Sequence, residues 1–246
     1  MKIMNIRFSL SICLLLLLVV CCRSDPGAAR VDNGPPADNK ATPEIPAPLQ
    51  TAGKSFAYSF DNDIVGQLPS KFHDAITGQG AKAKWVVKAD PTAPSRPNVL
   101  AQLSTDRTDY RFPLAIADEG SFKDLEVSVK FKAVSGTVDQ AAGLVFRLKD
   151  SNNYYIVRAN ALEGNYRLYH VTDGKRQQFA GANVKVASDE WHELRVECVG
   201  NKITCYYDSE KKIEATNDTF KEAGKVGVWT KADSVTYFDD LRVTAK

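Results

Sequence analysis

The sequence predicts an all-β fold, an antiparallel β-sandwich, and three observations carry that expectation. No segment of residues 55–246 sustains a helical period. Apolar and polar residues alternate instead over short runs, as they must on a strand with one buried face. Gly, Asn and Asp punctuate those runs. Roughly a dozen such strands with short turns fit two packed antiparallel sheets.

Each run assigns its own faces. Phe56, Tyr58 and Phe60 alternate at the start, Trp85-Val86-Val87 forms a short strand, and residues 99–103 form another. Leu125, Val127, Val129 and Phe131 alternate against Glu126, Ser128 and Lys130. Leu144, Phe146 and Leu148 make the better core face of their strand, which turns Arg147 outward. Tyr155, Val157, Ala159 and Ala161 are wholly apolar and face inward, so Tyr154, Ile156, Arg158 and Asn160 face out. In the next strand either Tyr166/Leu168/His170 or Arg167/Tyr169/Val171 forms the core set. Near the end, Val226 and Val228 point in, leaving Gly227, Trp229 and Lys231 outside. Residues 138–143 and 171–174 read as turns or the starts of strands. No internal repeat has a fixed period.

The first 54 residues read differently. Lys2 and Arg7 precede an apolar run over residues 10–20, too short to span a bilayer comfortably. Residues 1–21 are therefore expected to be a lipoprotein-type signal peptide. The Leu18-Val-Val-Cys-Cys22 junction resembles a bacterial lipobox, which makes Cys22, or else Cys21, the expected lipid-bearing residue. Residues 22–54 are rich in Pro and Ala and lack the apolar content to offset ordering entropy, so they are expected to be a disordered tether. This predicts an exported, membrane-anchored protein facing the periplasm or cell exterior. The 246-residue chain has a formal net charge of +2, with Lys and Arg scattered among Asp and Glu. With no basic patch, nucleic acid is not an expected partner.

Residues 141–243 carry the densest signals. They run through Ala141-Ala-Gly-Leu-Val-Phe-Arg147, Tyr154-Tyr-Ile-Val-Arg-Ala-Asn160, Trp191-His-Glu-Leu-Arg-Val196 and Gly224-Lys-Val-Gly-Val-Trp229 to Phe238-Asp-Asp-Leu-Arg-Val243. That order resembles the concanavalin A-like, laminin-G-like jelly roll. Within that group it is similar to secreted bacterial domains related to family-16 glycoside hydrolases and to the 3-keto-disaccharide hydrolase-like domain. The resemblance implies a carbohydrate ligand and leaves binding and cleavage both open, with a structural or adhesive surface protein as a third reading.

Catalytic chemistry has little support in the sequence. Family-16 hydrolases carry a Glu-x-Asp-x-x-Glu strand, whose alternate positions set carboxylates on one face. No Glu-x-Asp occurs here. The cluster Asp189-Glu-Trp-His-Glu193 reads as the solvated start of a strand. His73, His170 and His192 follow no zinc spacing. No nucleophile elbow, phosphate loop or dinucleotide fingerprint appears, so no catalytic residue is assigned. The expected carbohydrate-binding set is Arg147, Tyr154, Arg158, Asn160 and Trp229. An aromatic platform would stack on sugar CH faces while planar Arg and Asn bond hydroxyls. The competing reading places these residues in a covered polar network. The jelly-roll resemblance further implies a structural calcium where the first and last strands meet. Asp61 and Asp240 are its expected ligands, against a reading of both as turn caps or surface charge. Cys198 and Cys205 flank the turn signal Gly200-Asn201 with both sulfurs aimed at the core, either as a disulfide or as buried thiols. A two-residue turn would set them diagonally.

Overall fold

A computed structural model describes residues 55–246; the expected signal, lipidation sites Cys21 and Cys22, and tether lie outside the described residues. The described chain is all-β, with fifteen strands and no helix. They are β1 (Ser55–Tyr58), β2 (Phe72–Gly78), β3 (Trp85–Ala89), β4 (Asn98–Gln102), β5 (Arg111–Ala117), β6 (Leu125–Ser135), β7 (Ala141–Asp150) and β8 (Asn153–Asn160). The others are β9 (Asn165–Thr172), β10 (Lys175–Asn183), β11 (Trp191–Val199), β12 (Lys202–Tyr207), β13 (Glu210–Thr216), β14 (Lys225–Trp229) and β15 (Val235–Ala245). One sheet runs β13-β12-β11-β6-β15-β4-β3, with β1 pairing β15; the other runs β10-β9-β8-β7-β14-β5-β2. The two form an antiparallel sandwich.

The core between the sheets is the one that alternation assigns, except at Leu148, which lies beyond the register shift in β7 and turns to the outer face instead. Leu125, Val127, Val129, Phe131, Leu144, Phe146, Tyr155, Val157, Ala159, Val226 and Val228 all belong to it. The ambiguous strand resolves with Tyr166 and Leu168 inward. Tyr169 and Val171 are buried as well, in a second apolar cluster on the outer face of the seven-stranded sheet. That cluster also holds Phe112, Leu114, Ile116, Val145, Tyr154, Ile156 and Trp229.

The second cluster exists because the seven-stranded sheet curls. Thr77, on the edge strand β2, shares a 2.8 Å hydrogen bond with the Tyr154 hydroxyl on β8, at the far side of the sheet. The Tyr110 hydroxyl, just before β5, donates to Gly174 O in the β9–β10 turn at 2.6 Å. Both bonds span the outer face and close one end of it.

Cys198 pairs with Ile203 and Cys205 with Val196, so the two thiols sit diagonally across the two-residue Gly200-Asn201 turn. Both are buried and free. Burial pushes the Cys198 thiol up to about 11 and that of Cys205 further still.

The face assignments predict unequal responses to one substitution type. Val157→Asp or Val127→Asp buries an unpaired carboxylate and should cost about 3–5 kcal/mol. Ser128→Asp faces outward between Arg195 and Arg242, and should stay within about 0.5 kcal/mol of wild type. Urea unfolding of the three variants checks this; equal losses would reverse the faces.

Candidate functional site

The outer face of the seven-stranded sheet carries a concentration of buried charge that packing alone does not require. Alternation brings the residues together. Arg158 on β8 is in register with Gly143 on β7, and Gly143 with Trp229 on β14. In the next row, Asn160 lies beside Ala141 on β7 and Asn165 on β9.

The closed end of this face is aromatic. Phe112 and Trp229 stack with centroids 5.2 Å apart and planes inclined by 22°. Gly143 makes room for the indole, because a Cβ there would come within 3.0 Å of Trp229 Cε3. Arg176, from β10, covers the rings. Its guanidinium carbon lies 4.7 Å from the Phe112 centroid, 4.6 Å from Tyr169 and 5.7 Å from Trp229. Burial pushes the Tyr154 hydroxyl beside it up to about 12.

The other end is polar and reaches water. Arg158 donates from Nη1 to Asn165 Oδ1 (2.9 Å) and from Nη2 to Glu163 Oε2 (2.8 Å) and the Tyr169 hydroxyl (3.2 Å). Burial works against the charge on Glu163, but Arg158 outweighs it and holds the carboxyl below the usual carboxylate range. Asn160 Nδ2 donates to Asp139 Oδ1 at 2.5 Å. Lys231 Nζ lies 2.9 Å from Asp139 Oδ2 and 2.6 Å from Asp109 Oδ1. Asp233 positions this corner by accepting from the backbone N–H groups of Thr137, Val138 and Asp139. Burial, at 1% exposure, pushes the Asp139 carboxyl above its ordinary value despite Lys231 and Arg158. Asp109 and Glu163 meet solvent, with 76% and 43% of their side chains exposed.

Three N–H donors on this face have no hydrogen-bond partner among the described residues: Arg176 Nη1, Arg158 Nε and Trp229 Nε1. Buried donors are nearly always satisfied, so three together mark a place where something else is meant to accept.

Of the residues singled out from sequence, Tyr154, Arg158, Asn160 and Trp229 share this face. The expected open platform is corrected, because all four are at most 3% exposed. The curl of the sheet and the Arg176 side chain cover them. Arg147 lies elsewhere, and its outward placement is a second correction. A register shift between Phe146 and Asp150, with Arg147 at φ 46°, breaks the alternation there. Its guanidinium donates to the carbonyls of Lys123, Phe220 and Gly200 and tethers three loops. Sequence reasoning missed Phe112, Asp139, Glu163, Tyr169 and Arg176. The Phe112 strand is buried on both faces and so shows no polar side to alternate against, and Asp139 and Glu163 lie between strands.

Among the described residues, no group of three or more His, Cys, Asp or Glu side chains converges as a metal site. Asp61 Oδ1 accepts the Asn98 N–H at 3.1 Å, and Asp240 Oδ1 accepts from Arg242 at 2.8 Å. His192 packs on Tyr207 with centroids 5.3 Å apart, bonded to Asp208 and the Ala187 N–H.

Residues 82–244 match the model of the 3-keto-alpha-glucoside-1,2-lyase-like domain family. The chain belongs to that family. Comparison with curated proteins gave no match. Solved structures share the fold at low identity. The carbohydrate-binding module CBM66 from Bacillus subtilis matches with a TM-score of 0.56 at 16% identity, covering 70% of this chain and 95% of that one. Bacillus licheniformis β-glucanase matches at 0.53 and 14% identity, covering 80% and 100%. The exoplasmic/lumenal domain of VIP36, in its Ca2+- and mannose-bound form, matches at 0.52 and 12% identity, covering 77% and 88%. Together these place the family's domain on a jelly-roll scaffold.

The buried Asp139 carboxyl gives this corner a pH dependence. Its folded value is raised, so the folded state binds this proton more tightly than the unfolded chain does. The stability it contributes is complete below the ordinary carboxylate range and is lost as pH rises through the raised value. Asp139→Asn should flatten the fall in Tm as pH rises above the ordinary carboxylate range. Parallel Tm–pH curves for the two proteins would exclude Asp139 as the titrating group.

Proposed function

We propose that this domain binds carbohydrate without cleaving it, on the outer face of the seven-stranded sheet, and works outside the cytoplasm on a lipid anchor at Cys22 or Cys21. The observation that carries the binding reading is the row of unpartnered N–H donors beside stacked aromatic rings. Sugars supply what this face lacks: ring oxygens and hydroxyls as acceptors, and CH faces that stack on an indole. The names of two fold neighbours, a carbohydrate-binding module and a mannose-bound lumenal domain, support the same ligand class.

A second reading is cleavage of an oxidised glucoside, favoured by the family description and the raised Asp139 carboxyl. In a 3-keto-glucoside the ketone acidifies the C2–H. A base would take that proton as the C1–O bond breaks and the electron pair leaves with the glycosidic oxygen. Against this, Asp139 is almost wholly buried, with Oδ1 hydrogen-bonded to Asn160 and Oδ2 beside the Lys231 ammonium in ion-pair contact though without a formed hydrogen bond. A base must reach its proton directly or through one water.

A glycan array, with product analysis on each hit, separates the readings. Binding without product is expected. Arg158→Met should weaken that binding about ten-fold or more, because it removes an unpaired donor and a guanidinium together. Release of an enone from a 3-keto-glucoside would establish the lyase instead, and a protein that binds no glycan would overturn both.

The anchor rests on the Lys2/Arg7 start, the apolar run and the Cys21-Cys22 pair. Mass spectrometry of the mature protein from membranes should find diacylglycerol on Cys22 or Cys21. An unmodified N-terminus downstream of Arg23 in membrane-free fractions would remove it.

A further inference from the structure

Arg176 is the least explained charge in the described residues. Its guanidinium is sunk among Phe112, Tyr169 and Trp229, yet its side chain has no hydrogen-bond or ion-pair partner among the described residues. Only its backbone N–H is engaged, by the Tyr110 hydroxyl at 3.2 Å. The other cations on this face are paired. Arg158 holds Glu163, Lys231 holds Asp139 and Asp109, and Arg167 donates to Ala182 O and Asn183 Oδ1.

Ring faces alone are a poor exchange for water around a guanidinium. The residue is half-buried, and its Nη1 is closed off from water with no hydrogen-bond partner in exchange. Burial accordingly pulls the Arg176 guanidinium below its ordinary value, with Arg158 adding to the effect against Tyr169 and Asp139. The neighbouring unpartnered atoms, Arg158 Nε and Trp229 Nε1, are donors too. The carboxylates of this face, Asp139 and Glu163, pair with Lys231 and Arg158, and no acceptor among the described residues reaches the Arg176 side chain.

We propose that the ligand is an acidic glycan and that Arg176 reads the carboxylate of one of its uronic acid residues. This rests on the carbohydrate-binding reading above and names the class of sugar. A guanidinium fork matches the two oxygens of a carboxylate, and a lysine does not. Arg176 sits on the edge strand β10, two residues after Gly174. It is held by stacking alone, so its side chain can swing to meet a ligand without breaking a hydrogen bond. The uronate ring then takes the vacated place over Trp229 and Phe112. Sugar ring and guanidinium use the same aromatic faces in turn.

The test is calorimetric titration of the full chain with oligogalacturonate, oligomannuronate and an oligoglucuronate. Their methyl esters and a sulfated oligosaccharide serve as controls. At least one oligouronate should bind, its methyl ester about 10–100-fold more weakly, and the affinity should fall with added salt. Arg176→Gln should lose binding by a similar factor with a melting temperature no lower than wild type, and Arg176→Lys should recover only part. Equal binding of acid and ester, tighter binding of the sulfated sugar, or an Arg176→Gln protein that binds as wild type would overturn the uronate assignment while leaving carbohydrate binding intact. So would a protein that binds none of these sugars but binds neutral glycans. One that binds no sugar of either kind removes both readings.

Discussion

The curl of the seven-stranded sheet is the constraint from which the rest follows. An antiparallel sheet ordinarily packs one face and wets the other. Here the Thr77–Tyr154 and Tyr110–Gly174 bonds draw distant strands together across the outer face, and that face becomes a second interior. Every position of β8 past Asn153 is buried. The strand must therefore be apolar on both sides or satisfy its polar groups locally. It does both, with Ile156 and Tyr154 at the closed end and Arg158 and Asn160 at the polar one.

That arrangement makes the polar end costly. A buried ion pair seldom repays the desolvation of its members, and a hydrophobic replacement of similar volume is often as stable. The buried Lys231–Asp139 pair is thus a weak device for holding the sandwich together, and the Arg158–Glu163 pair, with its carboxylate half in water, adds little; the inter-sheet core already does that work. Their value lies in orientation. Asp233 fixes the loop that carries Asp139, Asp139 fixes Asn160, and Glu163 with Asn165 fixes the Arg158 guanidinium. Such supporting contacts lock rotamers of groups meant to meet a ligand.

Much of this is legible in the sequence, within limits that have physical causes. A period of two assigns faces, so Val157 and Ser128, or Val228 and Trp229, sort correctly from their neighbours alone. A period of two says nothing about what lies over a face. Alternation puts Tyr154, Arg158, Asn160 and Trp229 on the right side but cannot show that they are covered, because the curl depends on contacts between residues more than 60 positions apart. Alternation also fails wherever the backbone leaves the strand. Arg147 sits at a positive φ inside a register shift and turns toward loops at the end of the sandwich. Arg176 escapes notice because β10 mixes Lys, Arg, Gln, Ala and Gly without a clean apolar face. An edge strand needs no such face.

The site combines a fixed part and a loose one. Trp229 is stacked on Phe112 and seated over Gly143, where no larger residue fits, so its indole has one place to be. Asn160 and Arg158 are tied by two or more bonds each. Arg176 is tied by none through its side chain. Preorganised groups lower the ordering cost of binding, and a single untied cation on an edge strand lets the face open without disturbing them. A closed, aromatic, donor-rich interior with one movable guanidinium is thus compatible with a sheet that is fully packed when empty. On the proposed reading, the same sheet takes a sugar by displacing one side chain.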